Sequence, residues 1–331
     1  IELSLENNRD LRVAALNIDA TRAKLQVARA DQLPTVNAGF NGSRGPAASG
    51  AITSSYSAGL SVTAYELDFF GRVRALSQAA QSQLLASEEA RKTVQISLIA
   101  SVANTYLTLL ADDELLRITR ETLKTREESL RLTKLKYDNE SASKLDLSTA
   151  QSQLEAAKVS LAQQTRQRAT DESALVLLVG QPLPADLPAG VGLAEQGFVR
   201  DLPAGVPSEL LVRRPDVRQA EQNLLALNAN IGAARAAFFP RITLTASAGV
   251  ASSDLDTLVN PGTPTAWTFV PQILMPIFDA GRNKANLEAA KVNKDIAIAQ
   301  YEKAIQTGFK EVADALAGRA TLSEQLQAQS A

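Results

Sequence analysis

Residues 72–179 contain neither glycine nor proline. The chain's 17 glycines and 13 prolines all fall in the other 223 of its 331 positions, and at their mean frequency of about 9% a gap of 108 residues would almost never arise by chance. These two residues end helices and make turns, so the stretch is free to be helical throughout. Its apolar residues support that reading. Leu76, Val94, Leu98, Val102, Leu109, Leu116, Leu123 and Leu130 recur at three, four or multiples of about 3.5 residues, with Lys, Arg, Glu and Gln between them, as in a coiled coil. The repeat fails once, at Tyr137-Asp138-Asn139-Glu140-Ser141-Ala142-Ser143, where turn formers gather, and resumes at Leu145, Leu147 and Leu154. The spacing predicts a helical hairpin over about 72–179 with its tip there. The outgoing arm, 72–137, would be 66 residues long, about 99 Å at 1.5 Å per residue.

A second environment is written into the charge distribution. Residues 32–65 carry only Arg44, and residues 242–278 carry only Asp254 and Asp256; an average charged fraction of 21% would put about 15 charges in those 71 positions. Both segments alternate. Val36, Ala38 and Phe40 are separated by Asn37 and Gly39; Tyr56, Ala58, Leu60 and Val62 by Ser57, Gly59 and Ser61; Ile242, Leu244, Ala246 and Ala248 by Thr243, Thr245 and Ser247. Period two with turn residues between runs predicts β-hairpins, at about 35–67 and about 241–276.

The two hairpins belong to an internal duplication. An offset of 206 aligns Asp10 with Asp216, Ala14 with Ala220, Asn17 with Asn223, Ala28-Arg29-Ala30 with Ala234-Arg235-Ala236 and Pro34 with Pro240; an offset of 210 places Gly71-Arg72 on Gly281-Arg282. The first repeat, 1–207, is expected to contain a helix, a hairpin, the long helical hairpin and a Pro/Gly-rich connector over 181–207. The second, 208–331, repeats the helix and hairpin and begins its long helix near 281. It stops at the equivalent of Glu121, so the counterpart of 122–179 and its tip are expected beyond Ala331, and both ends of the chain read as cut.

Absences narrow the chemistry. With no cysteine and no histidine, disulfide scaffolds, thiolate nucleophiles, Cys/His zinc sites and a Ser-His-Asp triad are excluded. No catalytic, cofactor or metal-ligating residue is assigned. A formal charge of −2 without a basic patch, one Trp and five Tyr argue against a nucleic-acid partner. No run of 18 consecutive apolar residues occurs, so no membrane-crossing helix is expected.

A hairpin in water usually places Lys or Glu on its wet face. These place Ser, Thr, Gly and Asn there, which fits barrel strands facing lipid on one side and a polar lumen on the other. An open edge is untenable in lipid, so four strands must oligomerise. Two copies give eight strands and a filled barrel; three give twelve and a lumen. The rival readings are a trimeric adhesin-type membrane anchor and a soluble coiled-coil scaffold decorated with hairpins.

Three strings carry a resemblance: Tyr65-Glu66-Leu67-Asp68-Phe69-Phe70-Gly71-Arg72, Ser208-Glu209-Leu210-Leu211-Val212-Arg213-Arg214-Pro215-Asp216-Val217, and Ile231-Gly232-Ala233-Ala234-Arg235-Ala236-Ala237-Phe238-Phe239-Pro240. They closely resemble the TolC-like outer membrane efflux proteins, in the branch that serves resistance-nodulation-division pumps. The resemblance implies a mixed α and β membrane protein: a homotrimer with a twelve-stranded β-barrel in the outer membrane of a Gram-negative bacterium and a long periplasmic α-barrel. It implies docking to a periplasmic adaptor protein and an inner-membrane resistance-nodulation-division transporter. Many members of the branch carry an N-terminal lipidated cysteine, which this chain does not contain.

The same resemblance places Tyr137, Asp138, Glu140, Ser141, Ser143, Leu145 and Asp146 at the periplasmic tip, where the adaptor docks and the channel closes. The family turn usually has glycine and then an apolar residue where this chain has Glu140 and Ser141. Asp146 matches a position whose carboxylate pairs with a basic residue of the other hairpin, a latch; read locally, it caps the returning helix. Asp112-Asp113-Glu114 suggests a metal site, but consecutive helical residues do not face one another, so a solvated face is expected. Arg213-Arg214 suggests phosphate binding, whereas Pro215 and Asp216 suit a helix start. Tyr56 and Trp267 are either aromatics at the lipid interface or packed in the hairpins.

Overall fold

The structure, a computed structural model, describes residues 1–184, 191–192, 196, 212–258, 260 and 263–331. Most of the expected connector, 181–207, and Ser208 to Leu211 of the second string lie outside the described residues. By contacts the chain divides into two compact units, Ile1–Ala15 with Arg91–Gly205 and Leu16–Ala90 with Val206–Ala331.

The first unit is helical. It holds α1 (Glu2–Asn7), the start of α2 (Arg9–Ala30), most of α3 (Arg72–Asp138, 67 residues) and α4 (Lys144–Val179). Its core joins Leu98, Val102 and Leu109 of α3 to Leu175 and Val179 of α4 and Leu11 of α2, so the leucine repeat is a helix-packing seam. The short α1 had no signature in the periodicity. Asn8 separates it from α2: its side chain accepts from Leu11 N at 2.9 Å and donates to Leu178 O at 2.9 Å. Gly180 ends α4 at φ +80, and a Cβ there would lie 2.8 Å from the Asn7 carbonyl carbon, so glycine is required for both reasons.

The expectation of no membrane-crossing helix is corrected in one respect. One eighteen-residue window of α3 has a mean hydropathy of 1.5, enough by length and composition to cross a membrane. No charge falls between Lys92 and Asp112. Polar residues interspersed in that run hid it from a search for unbroken apolar sequence, and its Leu98, Val102 and Leu109 pack in the helical core.

The second unit carries a four-stranded antiparallel sheet in the order β1-β2-β3-β4, made of β1 (Val36–Pro46), β2 (Ile52–Glu66), β3 (Arg241–Ser252) and β4 (Thr265–Leu274). The two hairpins therefore join into one sheet through β2 and β3. Their internal registers correspond: Val36 faces Val62 as Ile242 faces Ile273, and Phe40 faces Ala58 as Ala246 faces Phe269. One feature breaks the correspondence. β2 bulges between Val62 and Tyr65, with Ala64 at φ +51 and its N–H donating to Thr245 Oγ1 at 3.1 Å.

Helices α5 (Pro215–Ala236) and α6 (Arg282–Ser330) complete this unit and pack together. Asp68 accepts from Val73 N at 3.1 Å and Arg74 N at 2.8 Å, closing the N-terminus of α3; Asp279 does the same for α6 through Gly281 N and Asn283 N, both at 2.9 Å. Glu66, at the end of β2, takes a bidentate Arg72 at 2.8 Å and Arg241 at 2.6 Å, tying strand ends to the start of α3.

Gly59 and Gly249 face each other across β2 and β3, and a Cβ on either would lie 2.6 Å from the other's Cα. Gly39, on the same row, has open space. Gly59→Ala or Gly249→Ala should force the strands apart and cost about 1–3 kcal/mol, while Gly39→Ala should fall within about 1 kcal/mol of wild type. Thermal unfolding in detergent, followed by circular dichroism, compares the three.

Candidate functional site

The helical tip is a five-residue connection, 139–143, between α3 and α4. Ser141 N donates to Lys136 O at 2.7 Å and Glu140 N to Tyr137 O at 2.9 Å, the two bonds of a Schellman cap. Glu140 occupies its left-handed position at φ +59. The chain thus makes with Glu140 a left-handed turn that glycine would adopt without penalty, at a backbone cost of about 1–2 kcal/mol. Ser141 cannot supply the apolar contact that commonly accompanies this cap.

Ser143 then starts α4 with a capping box. Its hydroxyl accepts from Asp146 N at 3.1 Å, and Asp146 Oδ2 accepts from Ser143 N at 2.9 Å and Ser143 Oγ at 2.7 Å. The Ser143 hydroxyl first, and its backbone N–H second, hold the Asp146 carboxyl below the usual aspartate range. This contribution is complete at neutral pH and is lost only as the pH falls through that lowered value. The N-cap itself is Ser143; Asp146 is its reciprocal partner, three residues on. Around this turn Tyr137 and Asp138 end α3, and Leu145 is 75% exposed.

The sheet resolves the alternating sequence into rows. On one face, Val36-Val62-Ala246-Phe269 and Ala38-Leu60-Ala248-Trp267 run across all four strands; on the other, Asn37-Ser61-Ser247-Thr268 and Gly39-Gly59-Gly249-Ala266. Ser247 and Thr268 share a 2.7 Å hydrogen bond on the polar face. Trp267 is 74% exposed, whereas Tyr56 is half-buried and stacks on Phe40 with centroids 6.5 Å apart. The outer edges of β1 and β4 have no strand partner among the described residues.

Two other expectations are settled by contacts. Arg214 is bidentate to Asp216, at 3.0 and 2.7 Å, and reaches Glu311 of α6 at 2.7 Å, so it fastens the start of α5 rather than presenting a phosphate site. The solvated face at Asp112-Asp113-Glu114 requires a correction: Asp113 and Glu114 are exposed, but Asp112 is 6% exposed. Successive helical side chains point about 100° apart, so one of three neighbours turns inward. Its acidity gave no sign of this; the signal was its spacing of three and four from Leu109 and Leu116.

Comparison with known proteins agrees with this architecture. The sequence profile of the outer membrane efflux protein family matches residues 1–181 and 206–331. The antibiotic efflux pump outer membrane protein ArpC of Pseudomonas putida is 52% identical over 337 residues, covering 99% of this chain and 69% of that protein. OprJ, an outer membrane protein of Pseudomonas aeruginosa, is 44% identical over 336 residues, covering 99% and 70%. Among solved structures, the open state of the Neisseria gonorrhoeae MtrE outer membrane channel superposes with a TM-score of 0.90 at 42% identity, over 99% of this chain and 74% of that one. The sparsely charged sheet, the long helical hairpin and these likenesses agree, and the chain belongs to the outer membrane efflux protein family, with the fold of its channels.

Proposed function

We infer that the chain is the outer-membrane duct of a tripartite efflux system, a passive exit path for drugs and other small molecules across the periplasm and outer membrane. The sheet carries this reading: one largely apolar face, one polar face of hydroxyls, amides and glycine whose charges, Glu66 and Arg241, pair at the strand ends, and two unpaired edges, with a long helix following β2 and another following β4. Three copies supply twelve strands and a lumen. A homotrimer closes its edges by pairing β1 of one copy with β4 of the next. Tyr56 and Trp267 then sit as interfacial aromatics of the barrel. The matching hairpin registers support a duplicated unit, with repeats over 1–207 and 208–331.

The energy comes from an inner-membrane transporter, so the duct needs no catalytic residue. A periplasmic adaptor docks on the tip, where Tyr137 and Leu145 offer apolar contact beside Asp138, Glu140, Ser141 and Ser143. Asp146 serves as a latch as well as a cap partner. Its Oδ2 takes both bonds from Ser143, which leaves Oδ1 for a basic residue of a facing hairpin.

Full-length protein in detergent should have the mass of three subunits and conduct ions in planar bilayers. A monomer that extracts into buffer and does not conduct returns the scaffold reading; a trimer with a parallel stalk returns the adhesin anchor. In the same assay, Asp146→Ala should raise conductance and drug permeability while Ser143→Ala should not; equal, unchanged conductance in both removes the latch. Glu140→Gly should leave the tip as stable or up to about 1 kcal/mol more stable, whereas β-branched Glu140→Val should lower the unfolding temperature.

A further inference from the structure

Asp112 is the first charge after the uncharged run of α3 that ends at Ala111, and it turns into the protein at 6% exposure between the buried Leu109 and Leu116. Its Oδ2 is buried with no hydrogen-bond donor. Across from it on α4 a second carboxyl, Asp171, lies within hydrogen-bonding reach. Two ionised carboxylates supply no donor to each other; Gln167 Nε2 donates to Asp171 Oδ2 at 3.0 Å, but nothing donates to the buried Asp112 Oδ2.

The surrounding charges do not resolve it. On α3, Asp113 adds another negative charge; on α4, Arg168 is engaged by Asp113 and, at 2.7 Å, by Glu172. From α2 the adjoining core receives Leu11, and its neighbours Asp10 and Arg12 are exposed. The acids of α1, Glu2 and Glu6, belong to the helix whose end meets α4 at Leu178 and Gly180, about two turns beyond Asp171. No basic group is left for Asp112 in this set.

We propose that Asp112 and Asp171 share one proton, forming a carboxyl–carboxylate clamp that holds α3 to α4 while protonated and releases them when rising pH removes the proton. Burial first, then the hydrogen bond and charge of Asp171 and the charge of Asp113, push the Asp112 carboxyl above the usual aspartate range, against the opposing pull of Arg168. The folded state therefore binds more protons than the unfolded one between the ordinary and the raised value, so stability falls as pH rises through that interval. The clamp stands on helix packing alone and does not depend on the channel reading.

The test uses full-length protein in detergent. Infrared difference spectra collected across a pH titration should show a protonated-carboxyl band that persists above the usual aspartate range and is absent from Asp112→Asn. The Asn amide keeps a donor toward Asp171, so this variant should melt about 2–4 °C above wild type once the wild-type pair has lost its proton and lose this part of the pH dependence; Asp171→Asn should do the same. A missing band, a lower melting temperature in both variants at every pH, or a rise with added calcium or magnesium in wild type alone would overturn the shared proton; the last would indicate a bound cation instead.

Discussion

In hydrocarbon every backbone N–H and C=O must find a protein partner, because no water is available to replace one. A four-stranded sheet meets this demand along its three internal ladders and fails it along the outer edges of β1 and β4. The failure cannot be repaired within the strands, whose alternating faces leave β1 and β4 only a single charge, Arg44, to blunt an edge in water. Closure by further copies follows from that deficit. So does the need for an accurate sheet, since a register slip of one residue would exchange the Val/Leu/Phe rows with the Asn/Ser/Gly rows on every strand.

Polar interactions position the helices against this sheet. Glu66 gathers Arg72 and Arg241, drawing the end of β2, the start of α3 and the start of β3 to one carboxylate. Asp68 and Asp279 each spend a side chain on the first amides of a long helix. These contacts concentrate at the strand–helix junctions, where a period of two gives way to 3.6 and the backbone passes through Gly71 and Gly281 at positive φ. Within the helical unit leucine packing joins the helices, with Asn8 as a buried polar pin between α1, α2 and α4.

Much of this was legible because it is periodic. Alternation located both hairpins, and the absence of Gly and Pro located α3 and α4 to within a residue or two. The pairing of β2 with β3 was not legible, since both hairpins carry the same pattern and nothing local says which edges meet. The bulge at Ala64 escaped for the opposite reason: alanine carries no signal for a positive φ. At the tip, Glu140 stands where the resemblance implies glycine, and it enters the left-handed region and completes the cap. Local preference there yields to the packing of two long arms. Asp112 shows the limit of judging residues by type, because its acidity predicted solvent while its helical phase directed it inward.

The polar rows of the sheet have an electrical consequence. Residues 36–43, 52–65, 242–252 and 265–274 carry no charge, and the strands' remaining charges, Arg44, Glu66 and Arg241, lie toward strand ends, the last two paired with each other, so the middle of the sheet imposes little fixed field on whatever passes along its inner face. Such a bore resembles a neutral pipe rather than an ion filter: cations, anions and uncharged solutes meet the same hydroxyls, amides and bare glycine backbone. Selection by charge must then occur elsewhere along the route. An indiscriminate opening through a cell's outer barrier is tolerable only if it is shut at its far end between uses.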